Sequence, residues 1–258
     1  MNQLKGIIYD LVLQLVLAGP RKKAGKKKLL IVRVDEIGDY MLWRNFIKEI
    51  TGTEEFRDHE KHFLGNKSIQ SIFETFDRSF FQKTKWLEKT RFKKKMGYRF
   101  KFLKTIYKED YDVVINPTFS RDKRYDDAIV RASKAIERIG MVANNETVHS
   151  YEKGYDKNLY TRLFEYKEKP VFEFYRNKVF TEFITLKPSA VINTSVPKNL
   201  LPSLNKTLPE KYFVVFPGSR NKSRVWPIEN FIIVSNFLYN KFGYTTIVCG
   251  GPDDLIYS

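Results

Sequence analysis

The sequence predicts an α/β fold built on a parallel sheet, and three observations lead there. Runs of strand length alternate with helical patterns along much of the chain. The first run, Leu29-Leu30-Ile31-Val32-Arg33-Val34, has the nearly continuous apolar character of a strand buried on both faces. It enters a turn at Asp35-Glu36-Ile37-Gly38-Asp39 that leads into a helix, the opening of a doubly wound domain in which ligands sit beyond the carboxyl ends of the strands.

The 258 residues, 42% hydrophobic and 15% aromatic, suffice for one or two domains and argue against disorder. Residues 4–18 read as a helix, because Leu4, Ile7, Ile8, Leu11, Val12, Leu15 and Val16 recur at helical spacing around a narrow polar stripe of Gln3, Asp10 and Gln14. A membrane span needs about 20 predominantly apolar residues, so this segment is too short and too polar for one. It does not read as a signal peptide either, since the cluster Arg21-Lys22-Lys23 and Lys26-Lys27-Lys28 follows the apolar stretch instead of preceding it. Two readings stay open: an in-plane membrane anchor with a polybasic sequel, or a helix docked on the protein's own body.

After the first strand, Met41, Leu42, Phe46, Ile47 and Ile50 predict a helix. Further strands are expected at residues 62–64, 111–116 and 138–141, with helices at about 69–76, 100–107 and 126–136 between them. Beyond Lys187-Pro188, four prolines among Ser, Asn and Thr mark a linker over 188–209. A strand at 212–216, a Pro217-Gly218-Ser219 turn, a helix from near Pro227 to about Phe242 and a strand at 245–249 then make one βαβ unit. The expected divisions are 1–28 (helix and polybasic segment), 29–187 (first domain), 188–209 (linker) and 210–258 (partial second domain). A single unit of about fifty residues cannot cover both faces of a sheet. Either it docks on the first domain, or the chain is a truncated two-domain protein.

The net charge of +16 is concentrated. Residues 1–28 hold seven Lys or Arg against Asp10, and residues 78–108 hold twelve against Glu88, which leaves the remainder near neutral. Two basic patches on a neutral body point to anionic lipid, a phosphorylated glycolipid or nucleic acid, or else are solvated helix faces. The stretch from Lys93 to Phe102 interleaves cations with aromatics as single-strand binders do, yet Phe92, Phe100, Phe102 and Leu103 equally suit a helix packed on a sheet. The lone cysteine, Cys249, rules out an intramolecular disulfide and a Cys-based zinc cage, so a reducing compartment is expected. The histidines (His59, His62, His149) form no His-Glu-x-x-His pattern, and the chain carries no Gly-x-Gly-x-x-Gly dinucleotide fingerprint.

Three turns can carry chemistry. Asp39 lies at the mouth of the first strand, where a helix N-terminus favours a carboxylate. It is therefore a candidate proton acceptor, effective where a substrate hydroxyl acidifies in the transition state, or a plain helix cap. Asp35 and Glu36 share the turn and rank lower. In Pro217-Gly218-Ser219-Arg220-Asn221-Lys222-Ser223-Arg224-Val225-Trp226-Pro227, a glycine, hydroxyls and three cations precede a helix, the ingredients of a phosphate cradle. Trp226 is expected to pack under that helix. In Asn116-Pro117-Thr118-Phe119-Ser120-Arg121, Arg121 suits either an anionic acceptor or an ion pair with Asp126 or Asp127.

Val32-Arg33-Val34-Asp35-Glu36-Ile37-Gly38-Asp39, Pro217-Gly218-Ser219 with Arg224-Val225-Trp226-Pro227, and Val248-Cys249-Gly250-Gly251-Pro252 together resemble glycosyltransferase family 9, which includes the lipopolysaccharide heptosyltransferases. The similarity covers about residues 27–258. It implies a GT-B architecture of two Rossmann-like domains and transfer with inversion from a nucleotide-sugar donor, without metal or other cofactor. The implied acceptor is a phosphorylated glycolipid such as lipopolysaccharide core. Asp39 matches the family's proposed general base, and Ser219 and Arg224 match donor-phosphate positions, with arginine where many relatives have lysine. Taken with the reading of the three turns, Gly218, Ser219, Arg220, Lys222 and Arg224 are the expected donor contacts, and Gly38, Asn116, Ser120 and Arg121 the expected acceptor contacts. The N-terminal helix and basic segments lead to the expectation of a cytoplasmic protein peripheral to an anionic membrane, with no nucleic-acid partner, while the resemblance implies an apparent C-terminal truncation, since relatives continue with an Asp-Thr-Gly-like turn. The rival expectations are an inactive remnant that keeps acceptor or membrane binding, and a basic nucleic-acid-binding protein.

Overall fold

The computed structural model describes residues 2–20, 25–142, 158–166, 172–204, 206–219 and 222–251. The chain divides into two compact units, Met1–Leu200 and Leu201–Ser258.

The first unit opens with α1 (Asn2–Leu17), followed by β1 (Lys28–Arg33), α2 (Ile37–Met41), α3 (Ile47–Thr51), β2 (Glu60–Asn66) and α4 (Gln70–Phe76). Next come β3 (Lys83–Leu87), α5 (Lys89–Lys94), α6 (Met96–Glu109), β4 (Val113–Asn116) and α7 (Asp126–Ser133). The unit closes with β5 (Glu137–Met141), β6 (Arg162–Phe164) and α8 (Glu173–Thr185). All six strands are parallel, in the order β3-β2-β1-β4-β5-β6. Chain order reverses between β1 and β4. In a doubly wound sheet that switch point opens the crevice in which ligands bind.

Side-chain alternation explains the layering. Along β1, Leu30 and Val32 enter one core with Leu13, Leu103, Ile106 and Ile129, while Leu29 and Ile31 enter another with Trp43, Phe63, Phe73 and Phe180. Helices α1, α6 and α7 cover the first face, and α2, α3, α4 and α8 the second. Helix α1 is thus docked on the body: Tyr9, Leu13 and Val16 are buried, and the Tyr9 hydroxyl donates to the Lys93 carbonyl at 2.8 Å.

Several expectations need correction. The helix expected through residues 41–50 is broken into α2, a 3-10 turn at Arg44–Phe46 and α3, because Arg44 turns inward and pairs with buried Asp77 at 2.7 Å. Helix α7 stops at Ser133, short of residue 136, where Lys134 adopts φ +50°. Strands β3 and β6 and helix α8 were not anticipated. Within the stretch read as a linker, residues 188–200 lie in the first unit. There the Ser195 carbonyl accepts from Arg44 at 2.6 Å, and the Ala190 N–H donates to Glu49 at 2.8 Å.

The second unit contains β7 (Tyr212–Val215), α9 (Ile228–Phe242) and β8 (Thr245–Val248), with the two strands parallel. Gly243, at φ +71°, ends α9, the left-handed cap that glycine adopts without penalty.

Candidate active site

The switch point between β1 and β4 is organised by Arg33, the last residue of β1. Its buried guanidinium donates to the Asp39 carbonyl at 2.9 Å and to the Pro117 carbonyl at 2.7 Å, tying the turn after β1 to the turn after β4. Its Nε lies 3.0 Å from the Asp35 carboxylate, and Trp43 lies under the guanidinium at 5.5 Å. Burial pushes the Asp35 carboxyl up to about 6, against the pull of Arg33 and with the Asp39 charge adding to the rise. The Asn66 amide, at the end of β2, donates to the Asp35 carbonyl at 3.0 Å. Glu36 pairs with Lys89 of α5 at 2.9 Å.

Asp39 is partly exposed, and its Oδ2 accepts from the Glu36 N–H at 3.3 Å. It therefore caps the short helix α2. Among the described residues its carboxylate has no ion-pair partner. Cap and proton acceptor are compatible roles here, because the group fixed by the turn still faces solvent. Gly38 beside it is exposed.

A third element, absent from the sequence reading, reaches the same place. Glu173, in the first turn of α8, is half-buried; burial pushes its carboxyl up, opposed by Arg33 and Arg176, and the Asp39 charge adds to the rise. Arg176 pairs with Glu173 and lies 3.7 Å over the Phe119 ring of the β4 turn. Asp35 and Glu173 thus share the field of Arg33, and the Asp39 charge acts on both. No motif marks Glu173, whose role is created by the packing of α8.

The β4 turn differs from expectation. Asn116 and Arg121, expected to touch an acceptor, are both completely buried. Asn116 donates to Asp126 at 3.1 Å and to the Tyr160 hydroxyl at 2.8 Å, which in turn donates to Asp127 at 2.8 Å. Arg121 lies 4.4 Å over the Tyr160 ring and 3.8 Å from the Asp127 carboxylate. Buried together, the two aspartates repel, and Asp126 is pushed up to about 7, burial being the larger cause. This is an internal ion-pair network in which two expected ligand contacts are already occupied. Ser120 alone of the expected residues in this turn is exposed. Gly140 on β5 permits the arrangement, since a Cβ there would fall 2.5 Å from the Tyr160 ring.

In the second unit Pro217 is buried, Gly218 half-buried and Ser219 exposed. A 3-10 turn, Lys222–Arg224, precedes α9, and Arg224 is exposed. Arg220 and the side chain of Lys222 lie outside the described residues. Trp226, expected under the helix, is 47% exposed and meets Phe231 edge-on at 4.9 Å. Among the described residues no group of three His, Cys, Asp or Glu side chains is arranged to hold a metal ion, and no helix is long and apolar enough to cross a membrane.

The first unit is a Rossmann-like parallel sheet with an acidic turn at its switch point, and the second is a strand-helix-strand unit with parallel strands. In comparison with known proteins, the model of glycosyltransferase family 9 (heptosyltransferase) matches residues 99–255, more than half of the chain, and the chain belongs to that family. Similar solved structures include the E. coli heptosyltransferase WaaC with ADP (TM-score 0.59, 14% identity, 89% of this chain and 69% of that one). E. coli ADP-heptose lps heptosyltransferase II gives TM-score 0.54 and 14% identity, over 89% of this chain and 66% of that one. A family 9 glycosyl transferase from Veillonella parvula DSM 2008 gives TM-score 0.60 and 17% identity, over 90% of this chain and 64% of that one. Identities this low show a shared fold, of the GT-B type. No curated protein matches the sequence.

Proposed function

We propose that the chain carries the acceptor side and the start of the donor side of an inverting glycosyltransferase. In this reading it moves a sugar, with heptose the first to test, from a nucleotide-sugar to a phosphorylated glycolipid such as lipopolysaccharide core, at the cytoplasmic face of an anionic membrane. The observation that carries the reading is the placement of Asp39 at the β1/β4 switch point, held through its own carbonyl by Arg33. Asp39 takes the proton of the acceptor hydroxyl as that oxygen attacks the anomeric carbon, and the nucleoside diphosphate departs from the opposite face. Gly218, Ser219, Arg220, Lys222 and Arg224 hold that diphosphate; an arginine can do so through two parallel hydrogen bonds, and cations aimed at the leaving group stabilise the charge that develops there. Ser120 and Gly38 are the exposed residues left to meet the acceptor.

The aromatic residues of the basic stretch weigh against nucleic acid as partner. Phe92 and Phe102 are buried in the core, where they cannot serve as stacking platforms. A second reading, a remnant that binds acceptor or membrane without turnover, is favoured by the low burial of α9, which has no buried residue among the described ones.

The deciding measurement is transfer or hydrolysis of a nucleotide-sugar in the presence of a phosphorylated glycolipid. Asp39→Asn should lower turnover about 100-fold or more, the scale of general-base catalysis, while donor affinity stays within about twofold. Acceptor binding without turnover in the wild type selects the remnant. Unfolding of Asp39→Asn would reduce the residue to a cap.

A further inference from the structure

Helix α1 is fixed to the first unit by one face and apolar on the other. Tyr9, Leu13 and Val16 point inward, the Arg99 guanidinium lies 4.2 Å from the Tyr9 ring and 4.3 Å from that of Phe92, and Asp10 pairs with Arg131 at 3.3 Å. The outward face carries Leu4, Ile7, Leu11 and Leu15, each between 57% and 66% exposed. A docked surface helix ordinarily turns polar residues to water. An apolar stripe three turns long is the pattern of a helix that also meets a second apolar phase.

Beside this stripe is a cavity of about 470 Å³ lined by Lys5, Ile8, Tyr9, Lys93, Lys94 and Met96. Its walls are apolar and aromatic, its charged lining is entirely cationic, and none of the three lysines has an ion-pair partner among the described residues. Such a site suits an anionic headgroup whose apolar tail leaves along the stripe.

The geometry points to a lipid-phosphate site: an anionic phospholipid leaflet seats a headgroup phosphate among Lys5, Lys93 and Lys94 while Leu4, Ile7, Leu11 and Leu15 enter its acyl region. The inference rests on the membrane part of the reading above and gives it a definite surface. Charge complementarity selects the leaflet over a second copy of this chain, whose matching face would bring the same three ammonium groups together. The site is one short helix from the chemistry. Lys89, in the first turn of α5, pairs with Glu36 in the turn of Asp39, and Lys93 and Lys94, in its last turn, line the cavity. With a rise of about 1.5 Å per residue, the two ends of α5 are under about 10 Å apart. Lipid seated at one end thus lies close to the acceptor crevice at the other.

The test is co-sedimentation of the full chain with phosphatidylcholine vesicles with and without 30% phosphatidylglycerol, the probe composition chosen for its negative charge. Wild type should bind the anionic vesicles at least tenfold more tightly than the neutral ones. The triple variant Lys5→Glu, Lys93→Glu, Lys94→Glu and the double variant Leu4→Ser, Leu11→Ser should each lose at least tenfold, with circular dichroism unchanged. A charge-matched triple, Lys48→Glu, Lys67→Glu, Lys198→Glu, should stay within about twofold. Equal loss in the charge-matched triple, retained binding in either the lysine triple or the leucine double variant, or a concentration-dependent dimer abolished by Leu4→Ser, Leu11→Ser in place of vesicle binding overturns the site. Vesicle binding is measured without donor or acceptor. Failed transfer with intact binding would remove the transferase reading alone, and transfer to a soluble acceptor without binding would remove this one alone.

Discussion

The two units use the same strand-helix-strand grammar with opposite results. In the first, β1 and β4 are buried along almost their whole length between two helical layers. In the second, every residue of β7 and β8 is exposed or half-buried, and Phe216, Ile233 and Phe237 are each more than half exposed. Yet Tyr-Phe-Val-Val in β7 and Thr-Thr-Ile-Val in β8 are as rich in β-branched and aromatic residues as any strand of the first unit. Strand propensity is thus satisfied in both places, and burial in only one. Since burying a large apolar side chain contributes about 1.5–3 kcal/mol, it is the covering layers, more than the strands, that set how firmly each unit folds.

The sharpest way to break this contrast is a matched pair of core truncations. Phe63, fully buried and stacked on Phe73 at 4.4 Å, should cost about 3–5 kcal/mol as Phe63→Ala in urea unfolding of the first unit. Phe237→Ala should change the second unit by less than about 0.5 kcal/mol, as a surface site does. Equal losses would mean that both units have real cores.

A smaller effect follows from Asp35. Between 3.8 and about 6 the folded first unit still holds a proton that the unfolded chain has released, so its stability falls as pH rises through that window. At about 1.4 kcal/mol per pKa unit, the loss attributable to this group is about 3 kcal/mol by pH 7. Urea midpoints measured from pH 4 to 7 should show a decline, and Asp35→Asn should make it shallower, leaving the part due to other raised carboxyls, those of Asp126 and Glu173 among them. The described carboxylates of the second unit, Glu210 and Glu229, are exposed and should add no such slope. Smallest is Gly243→Ala. Its φ of +71° should cost about 1 kcal/mol of helix stability, seen as weaker amide protection at the end of α9.

How far the sequence could be read depended on whether a residue's task was local. The strand leading to Asp39, its turn and the α9 region were legible because periodicity and turn chemistry act over a few residues. Strand β3 was hidden by its own lysines: Lys83 and Lys85 sit on a sheet edge, where charge discourages further pairing, and they made the segment look like part of a basic surface. Strand β6 has three residues, too few for any alternation to show. Arg121 could be read for a ligand or for an aspartate, and only the packing of α7 against β4 decided between them. Arg33 and Glu173 went unrecognised for a related reason. An arginine inside an apolar strand and a glutamate at a helix start become a site only when three separate segments converge.

Gly140 and Tyr160 constrain each other in a way that reaches beyond this molecule. The ring occupies the volume that any side chain at position 140 would need, and its hydroxyl joins Asn116 to Asp127. Neither position can drift alone. Across evolutionary descent the two should change in concert, so that lineages acquiring bulk at the first have surrendered the aromatic at the second, together with the acid that its hydroxyl serves.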